Sequence, residues 1–392
     1  MSYYDLQTSA RYIQCPNALR EIRRSTHGMG TNFLAVTCCR HVQDYVEKTI
    51  KESFSSSMES MLMPEILETN FRYQRQIDQA KRFDQEGIIP TVQFVNYGGQ
   101  EITMERVNHL VDIIRRDHID VIIGVGGGKA LDFARAAAYF TGIRVVLVPT
   151  MASTNASASP LCVIYNEDGT QQVACYFLPN YQDLVIADTT LLIQAPVKTF
   201  VAGIGDQVCT YLEVLYTNQQ MNTMNEFPDL CWEVIDKSCD IFMKQSKEAY
   251  EAAKLKEINH AYESILHQIL YSNGHMRATA CSGFAHLLGK VLIQFPPINQ
   301  NILHGLQVAY AIIPMKVCEG KSLDDIHAYI RWCKSLDIPV SFAQLGIPDV
   351  TREQLLEACR NVCHGPTLEL PYTAEKLVDC MLKAEDIVKA MG

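Results

Sequence analysis

The sequence of 392 residues lacks the features of a membrane protein and of a nucleic-acid-binding protein. No apolar run reaches the roughly 18 residues of a membrane span, and the start, MSYYDLQTSARYIQ, has neither the basic residues nor the apolar core of a secretory signal. Positive charge is scarce, since 34 lysines and arginines face 44 aspartates and glutamates. We therefore expect no membrane partner and no nucleic-acid partner.

The chain also lacks paired cysteines of the CxxC type, although it has 14 cysteines. Scattered cysteines without a secretion signal are typical of reduced thiols, so we expect a cytoplasmic protein. Apolar residues make up 48% of the chain and charged residues 20%, which is typical of a globular protein with a large core. The length suits about two domains.

The first half of the chain alternates apolar, β-rich runs with helical patterns. The strand-like runs are 32–37, 91–95, 120–125, 144–148, 161–165, 173–177 and 183–186. The helical stretches are 42–59, 65–86, 104–116 and 129–139. Strands covered by helices on both faces read as continuous apolar runs, so this order predicts an α/β domain with a parallel, Rossmann-like sheet.

The pattern changes near Asp188, because only helical periodicity follows from Thr189 to the end. Proline-containing breaks such as FPP at 295–297 divide this half into separate helices. The sequence thus predicts an α/β domain of residues 1–188 and an all-α domain of residues 189–392.

The stretch GVGGGKALD, residues 124–132, joins a predicted strand to a predicted helix. Bare backbone at Gly126, Gly127 and Gly128 would let N–H groups approach an anion, and the helix N-terminus adds the positive end of a dipole. Ligands bind at the carboxyl edge of parallel strands. A dinucleotide pyrophosphate fits this loop, although the spacing is neither GxGxxG nor GxxxxGK[ST]; a tight turn without a ligand is the alternative.

A second polar stretch, VPTMASTNASASPLCVIY at 148–165, follows the next strand. Its hydroxyl and amide side chains suit hydrogen bonds to ribose, nicotinamide or substrate, and the alternative is a polar surface loop. These side chains are Thr150, Ser153, Thr154, Asn155, Ser157 and Ser159.

Three residues of the helical half have the chemistry of a metal site. Asp206 follows two glycines in FVAGIGDQVCTYLE, and His286 and His304 flank the FPP break, which allows two helices to meet at one point. One aspartate and two histidines leave open positions on Zn²⁺ or Fe²⁺, as catalysis requires. The alternative is that both histidines are satisfied within an apolar core.

Several segments occur in the order of one family: GGGK-x-LD, PT-x-AST, AGxGD, AH and HG. In this respect the chain resembles the iron-containing (group III) alcohol dehydrogenase superfamily, and most of all its glycerol dehydrogenase branch. The resemblance runs from about residue 30 to about residue 320. It implies the architecture shared by glycerol dehydrogenase and dehydroquinate synthase, in which the helical domain carries the metal and the catalytic groups.

The resemblance also implies a ligand set and a chemistry. A divalent metal, expected to be Zn²⁺ with Fe²⁺ as the alternative, would be held by Asp206, His286 and His304. The metal would act as a Lewis acid on the substrate oxygen and favour hydride transfer to the nicotinamide. Homo-oligomers are typical of the family. The implied cofactor contacts are Gly126, Gly127, Gly128, Lys129 and Asp132 in the loop, and Thr150, Ser153, Ser159, Leu161 and Tyr165 on the nicotinamide side.

Two departures from the family pattern concern the substrate. The family's substrate-contacting aspartate after AST is here Asn155, a neutral amide that tolerates a carbonyl or a carboxylate, which argues against glycerol itself. Where the family often has another histidine, this chain has Lys290, one helical turn after His286. Lys290 would hold an anionic group or relay a proton, unless it is only a solvated helix lysine.

A third departure concerns the adenosine ribose. NAD-using relatives tend to end the first strand in an aspartate, whereas this strand ends AVTCCRH, with Cys39 near that place and Arg40 after it. Without the carboxylate a 2′-phosphate is not repelled, and Arg40 is placed to pair with it. The cofactor is therefore NAD or NADP.

These observations predict a metal-dependent NAD(P)-linked alcohol dehydrogenase. Its substrate would be a small polyol, hydroxyketone, ketone or hydroxy acid. Two alternatives remain: a dehydroquinate synthase-like lyase or cyclase that uses NAD without net redox change, and a nucleotide-binding homologue that has lost catalysis.

Overall fold

The structure, a computed structural model, describes residues 10–39, 42–57, 78, 81–82, 84–168, 172–178, 182–272, 283–363 and 372–392. These residues form two compact units. The α/β unit comprises the described parts of Thr8–Met151 and Ala156–Ala195, and the helical unit comprises those of Ala152–Asn155 and Pro196–Gly392.

The α/β unit is built on a parallel sheet of six strands in the order β1-β8-β5-β4-β2-β3. A separate antiparallel pair, β6 with β7, follows β5 in the chain. The strands are β1 (Arg11–Cys15), β2 (Asn32–Cys38), β3 (Thr91–Asn96), β4 (Val121–Gly126), β5 (Arg144–Pro149), β6 (Leu161–Tyr165), β7 (Gln172–Phe177) and β8 (Leu184–Asp188). The predicted parallel α/β fold is confirmed.

Strand β1 is the one strand of the sheet that the sequence did not predict. Its residues RYIQC include an arginine and a glutamine, and its side chains are exposed or half-buried because it lies at the edge of the sheet, paired with β8 alone. Strands β4 and β8, in contrast, are buried at every position, which explains why their apolar runs were recognisable.

The helices of the α/β unit cover the apolar faces of the sheet. The helix of residues 104–116 begins where the Thr103 side chain accepts the backbone N–H of Arg106, and it buries Val107, Leu110 and Ile114. The helices are α1 (Ile22–Ser25), α2 (Gln43–Ser55), α3 (Met104–Arg116), α4 (Gly128–Thr141) and α5 (Thr189–Leu192). Most of the helix predicted at 65–86 lies outside the described residues.

The described part of residues 196–392 contains helices and their connecting loops and no strand, as predicted. Helices α6 and α11 are buried along most of their lengths. The helices are α6 (Val197–Met221), α7 (Asp229–Leu255), α8 (His260–Leu270), α9 (Phe284–Leu292), α10 (Pro296–Asn301), α11 (His304–Cys318), α12 (Leu323–Lys334), α13 (Arg352–Cys363) and α14 (Ala374–Ala390).

None of the helices in the described ranges has the length and apolar composition needed to cross a membrane.

Candidate metal and active site

Asp206, His286 and His304 converge in the helical unit, although they lie on three different helices. Their ligand atoms all lie within 4.8 Å of one another. Oδ1 of Asp206 lies 3.9 Å from Nε2 of His286 and 3.7 Å from Nε2 of His304. Asp206 is 3% exposed, whereas the side chain of His304 is 49% exposed. The three side chains therefore enclose one point that is reached from solvent on the His304 side.

Close contact between α6 and α11 brings Asp206 next to His304. A β-carbon on Gly205 would lie 2.5 Å from the carbonyl oxygen of Gly305, and a β-carbon on Gly305 would overlap the carbonyl oxygen of Ala202. Only glycine fits at either position, because backbone atoms cannot move aside as a side chain can. This close approach brings Asp206, which follows Gly205, next to His304, which precedes Gly305.

The donor set suits a divalent ion. Bonds of about 2.0–2.2 Å at tetrahedral angles put ligand atoms roughly 3.3–3.6 Å apart, close to the 3.7 and 3.9 Å observed around Asp206. These separations are too long for hydrogen bonds. Among the described residues the ion-pair partners of Asp206 are these two histidines, so this buried carboxylate has no lysine or arginine to balance its charge.

Glu213 contacts His286 on the side away from Asp206. Its Oε1 lies 2.6 Å from Nδ1 of His286, and its Oε2 accepts the His286 backbone N–H at 3.1 Å. Burial lowers the pKa of His286, but the charges of Glu213 and Asp206 outweigh it and raise that pKa to about 9. Glu213 was not predicted from the sequence, although it follows Asp206 by two helical turns and therefore lies on the same face of α6.

Asn155 lies beside Asp206 in the helical unit. Its backbone N–H donates to Oδ2 of Asp206 at 3.0 Å, and its side-chain amide donates to the Thr210 hydroxyl at 3.3 Å. Thr210 in turn donates to the Asp206 carbonyl oxygen at 2.9 Å. Lys290 is exposed on α9, one turn after His286, and its charge acts to lower the pKa of that histidine. Asn155 and Lys290, the two predicted substrate residues, are thus neighbours of the predicted metal ligands.

The glycine loop follows β4 in the α/β unit. Gly126 has φ of +151°, and a β-carbon there would lie 2.8 Å from the Cys38 carbonyl oxygen. Packing and backbone conformation alone thus require this glycine, whether or not a ligand binds. Gly127 precedes α4 and Gly128 begins it, so the loop does end in a helix N-terminus. Lys129 forms an ion pair with Glu101.

Buried Arg135 links helix α4, which begins in this loop, to the second polar stretch, and this arginine was not predicted from the sequence. Its guanidinium contacts Asp132 Oδ1 at 2.6 Å and donates to the carbonyl oxygens of Ala156 and Leu161. Asp132 also accepts the Val163 backbone N–H at 3.3 Å. An arginine inside an alanine-rich helix gives no sequence signal of such partners.

The predicted nicotinamide-side contacts are divided between the units. Ser153 lies in the short segment 152–155 of the helical unit. In the α/β unit, Thr150 and Ser159 are buried, and the Tyr165 backbone N–H donates to the Ile102 carbonyl oxygen at 2.7 Å. Burial raises the pKa of the Tyr165 phenol. Leu161 begins β6.

Of the two residues predicted near the adenosine ribose, only Cys39 lies within the described residues. Its thiol is buried, lies 3.4 Å from the Val125 carbonyl oxygen, and has a pKa raised to about 12 by burial. Its side chain thus belongs to the core of the α/β unit. Arg40 lies outside the described residues.

Comparisons with known proteins point to one family. Residues 69–189 match the family model described as iron-containing alcohol dehydrogenase. Glycerol dehydrogenase of Citrobacter freundii is 27% identical over 286 residues, which cover 71% of this chain and 78% of that protein. Glycerol dehydrogenase of Thermotoga maritima is 26% identical over 357 residues, covering 90% and 88%.

Solved structures show the same fold. The crystal structure of a probable glycerol dehydrogenase from Sinorhizobium meliloti superposes with a TM-score of 0.81 at 22% sequence identity and covers 100% of both chains.

Proposed function

We propose a function on the premise that this chain belongs to the iron-containing alcohol dehydrogenase superfamily, in its glycerol dehydrogenase-like branch. It is an NAD-linked, metal-dependent oxidoreductase of CH–OH groups. Beyond this general activity, we propose which residues bind the metal, which class of substrate reacts, which cofactor is used and where in the cell the protein is located. The observation that carries it is the convergence of Asp206, His286 and His304 on one point.

Asp206, His286 and His304 are the proposed ligands of one divalent ion, for which Zn²⁺ suits the two imidazoles and the carboxylate. When bound, such an ion supplies a Lewis acid that favours the alkoxide of an alcohol or polarises a carbonyl. The role of the protein is to hold the ligand atoms in position. The Asn155 N–H fixes Oδ2 of Asp206, and this leaves Oδ1 directed toward the two histidines.

Asn155 and Lys290 support a hydroxy acid or its keto acid as substrate, with a small polyol or hydroxyketone as the wider class. An aspartate at 155 would add a second carboxylate beside Asp206, which would repel an anionic substrate. The amide adds no charge, and the exposed ammonium of Lys290 lies one helical turn from His286. Lys290 would therefore attract a substrate carboxylate, whereas it would not strengthen the binding of a neutral polyol.

The cofactor-binding domain is proposed as residues 1–188 and the metal-binding catalytic domain as residues 189–392. The pyrophosphate would lie against Gly126–Gly128 and Lys129, where α4 begins. Because Cys39 brings no carboxylate to the end of β2, the chain would accept NADP as well as NAD. Cys39, Cys209 and Cys333 are buried free thiols, which suits the proposed cytoplasmic location. A homo-oligomer, as is typical of the family, is also proposed.

The test is an absorbance assay of the reduced nicotinamide with Zn²⁺ or Fe²⁺ supplied. NAD⁺ and NADP⁺ are offered with glycerol, 1,2-propanediol and 2-hydroxy acids, and the reduced cofactors with dihydroxyacetone and 2-keto acids. We expect turnover of an acid substrate in preference to glycerol. Turnover of neutral polyols alone would contradict the role of Asn155 and Lys290. Absence of turnover with every pair, in protein shown to contain metal, would contradict the proposed function.

A further inference from the structure

One buried carboxylate holds both the ring and the backbone of His286. Oε1 of Glu213 lies 2.6 Å from the ring Nδ1, and Oε2 accepts the backbone N–H at 3.1 Å. Glu213 is 2% exposed, and among the described residues its ion-pair partner is His286 alone. No lysine or arginine of the described chain competes for this carboxylate, so both oxygens are committed to one residue.

The place of Glu213 is set by the start of helix α9. His286 is the third residue of α9, so its backbone N–H is one of those that find no acceptor within the helix. A carboxylate at a helix N-terminus is also favoured by the helix dipole. Gly283 leaves room for this carboxylate, since a β-carbon there would lie 3.2 Å from Oε2 of Glu213 and 2.6 Å from the Thr217 hydroxyl.

The contact determines which ring nitrogen of His286 is available. A carboxylate accepts hydrogen bonds and donates none, so the proton of a neutral His286 must be on Nδ1. The lone pair of the ring is then on Nε2, the nitrogen that lies 3.9 Å from Oδ1 of Asp206. A partner of this type on the far nitrogen is what orients metal-binding histidines in general.

We propose that Glu213 is the positioning residue of the metal centre: it holds His286 as the Nδ1–H tautomer, with Nε2 directed to the ion, and thereby sets the metal affinity. The inference rests on the proposed function, because it takes Asp206, His286 and His304 as the ligands. Glu213 itself touches neither ion nor substrate.

A different arrangement, in which Glu213 is itself a ligand, has less support. Cys209, Glu213 and His286 also place donor atoms within 4.8 Å of one another. However, the 2.6 Å between Glu213 and Nδ1 is a hydrogen bond with no space for an ion between them. Complete burial also raises the pKa of the Cys209 thiol, which keeps it protonated and a poor ligand.

The experiment measures the affinity for Zn²⁺ of the metal-free protein by competition with a chromophoric chelator. The variants are Glu213→Gln and His286→Ala. In Glu213→Gln an NH2 group replaces one carboxylate oxygen, so the side chain can no longer accept both hydrogen bonds from His286. We therefore expect the affinity for Zn²⁺ to fall about 10- to 100-fold. The matched control is Glu385→Gln, because Glu385 is also buried and accepts one backbone N–H, that of Phe342, at 3.0 Å. The control should bind Zn²⁺ as the wild type does.

The outcomes separate this inference from the proposed function. If His286→Ala and the wild type bind Zn²⁺ equally, the proposed ligand set is wrong. If His286→Ala loses affinity while Glu213→Gln keeps it, only the inference is overturned. Should Glu213→Gln fail to fold, long-range ¹H–¹⁵N spectra of the zinc-loaded wild type decide the question. The His286 signals, assigned with His286→Ala, should show the proton on Nδ1, and a proton on Nε2 would overturn the inference.

Discussion

The carbonyl oxygen of Ala202 occupies the place where Gly305 would carry a β-carbon. At this point helices α6 and α11 therefore meet backbone to backbone. The same contact places Asp206, which follows Gly205, beside His304, which precedes Gly305. Gly205 of the AGxGD segment and Gly305 of the HG segment are thus explained by helix packing, and the proposed metal ligands depend on that packing.

Gly305→Ala should weaken both the fold and the metal centre. The added methyl group would overlap a backbone oxygen, so the helices must separate, at a cost of about 1–3 kcal/mol in the free energy of unfolding. Urea unfolding and Zn²⁺ titration measure the two effects. Gly142→Ala is the control, because nothing lies within 4 Å of its added methyl group. Its positive φ should cost roughly 1 kcal/mol without changing Zn²⁺ affinity.

Removal of the metal or of a ligand should abolish activity. A chelator should inactivate the protein, and Zn²⁺ or Fe²⁺ should restore activity. Asp206→Asn and His304→Ala should lose bound metal and at least about 100-fold in kcat/KM, as measured by elemental analysis and cofactor absorbance. His260→Ala, at the exposed start of α8, is the control. Full activity of either ligand variant would contradict the site.

Lys290→Met should separate acid substrates from neutral ones. Removing the exposed ammonium near His286 should lower kcat/KM for a 2-hydroxy acid by roughly 5- to 20-fold, since the charge pair is partly screened by water. The value for a neutral polyol should change less than about twofold. Lys383→Met, on the exposed side of α14, should affect neither. An equal loss for both substrate types would assign Lys290 a role other than charge recognition.

Asp120→Asn should reduce stability in a pH-dependent way. Hydrogen bonds from Thr31 and Asn32 to the Asp120 carboxylate hold its pKa below the usual range. Because the pKa of Asp120 is lower in the folded state than in the unfolded state, its carboxylate stabilises the fold at pH values above the unfolded-state pKa of about 3.9. This stabilisation is lost as the pH falls through the folded-state pKa. We expect a loss of about 0.5–1 kcal/mol at pH 7, limited by solvent screening.

Urea unfolding at a series of pH values measures this effect. The difference between Asp120→Asn and the wild type should shrink as pH falls below about 4. Asp112→Asn, exposed on α3, serves as the control. A difference that stays constant with pH would show that the carboxylate charge is not the cause.

Cys318 should be the most reactive of the described cysteines. Hydrogen bonds from the Cys380 thiol and the Tyr216 hydroxyl, with the nearby charge of Lys376, lower the pKa of Cys318. More of it is therefore thiolate at neutral pH than of a buried cysteine such as Cys39. Iodoacetamide labelling followed by mass spectrometry should find Cys318 modified first. Cys318→Ser should remove the fast phase, and Lys376→Met should slow it; unchanged rates in both would contradict this prediction.

Local patterns account for the parts of this protein that its sequence determined. Buried parallel strands are continuous apolar runs and helices repeat every 3.6 residues, so both are recognisable from neighbouring residues alone. The sheet strands from 91 to 148, the helix at 104–116 and the all-helical second half follow from such patterns. Strand β1 does not, because an edge strand needs no apolar run and is defined by its partner β8.

The candidate site also has a part that the sequence predicted and a part that only the tertiary structure decided. Asp206, His286 and His304 were selected by residue type, position and family resemblance, and the structure shows that they converge. Tertiary structure alone decided which groups support them. Glu213 meets His286 across 73 residues of sequence, and Arg135 reaches Leu161 across 26. Such contacts arise from packing of distant segments, which leaves no periodic trace in the chain, so only the folded structure reveals them.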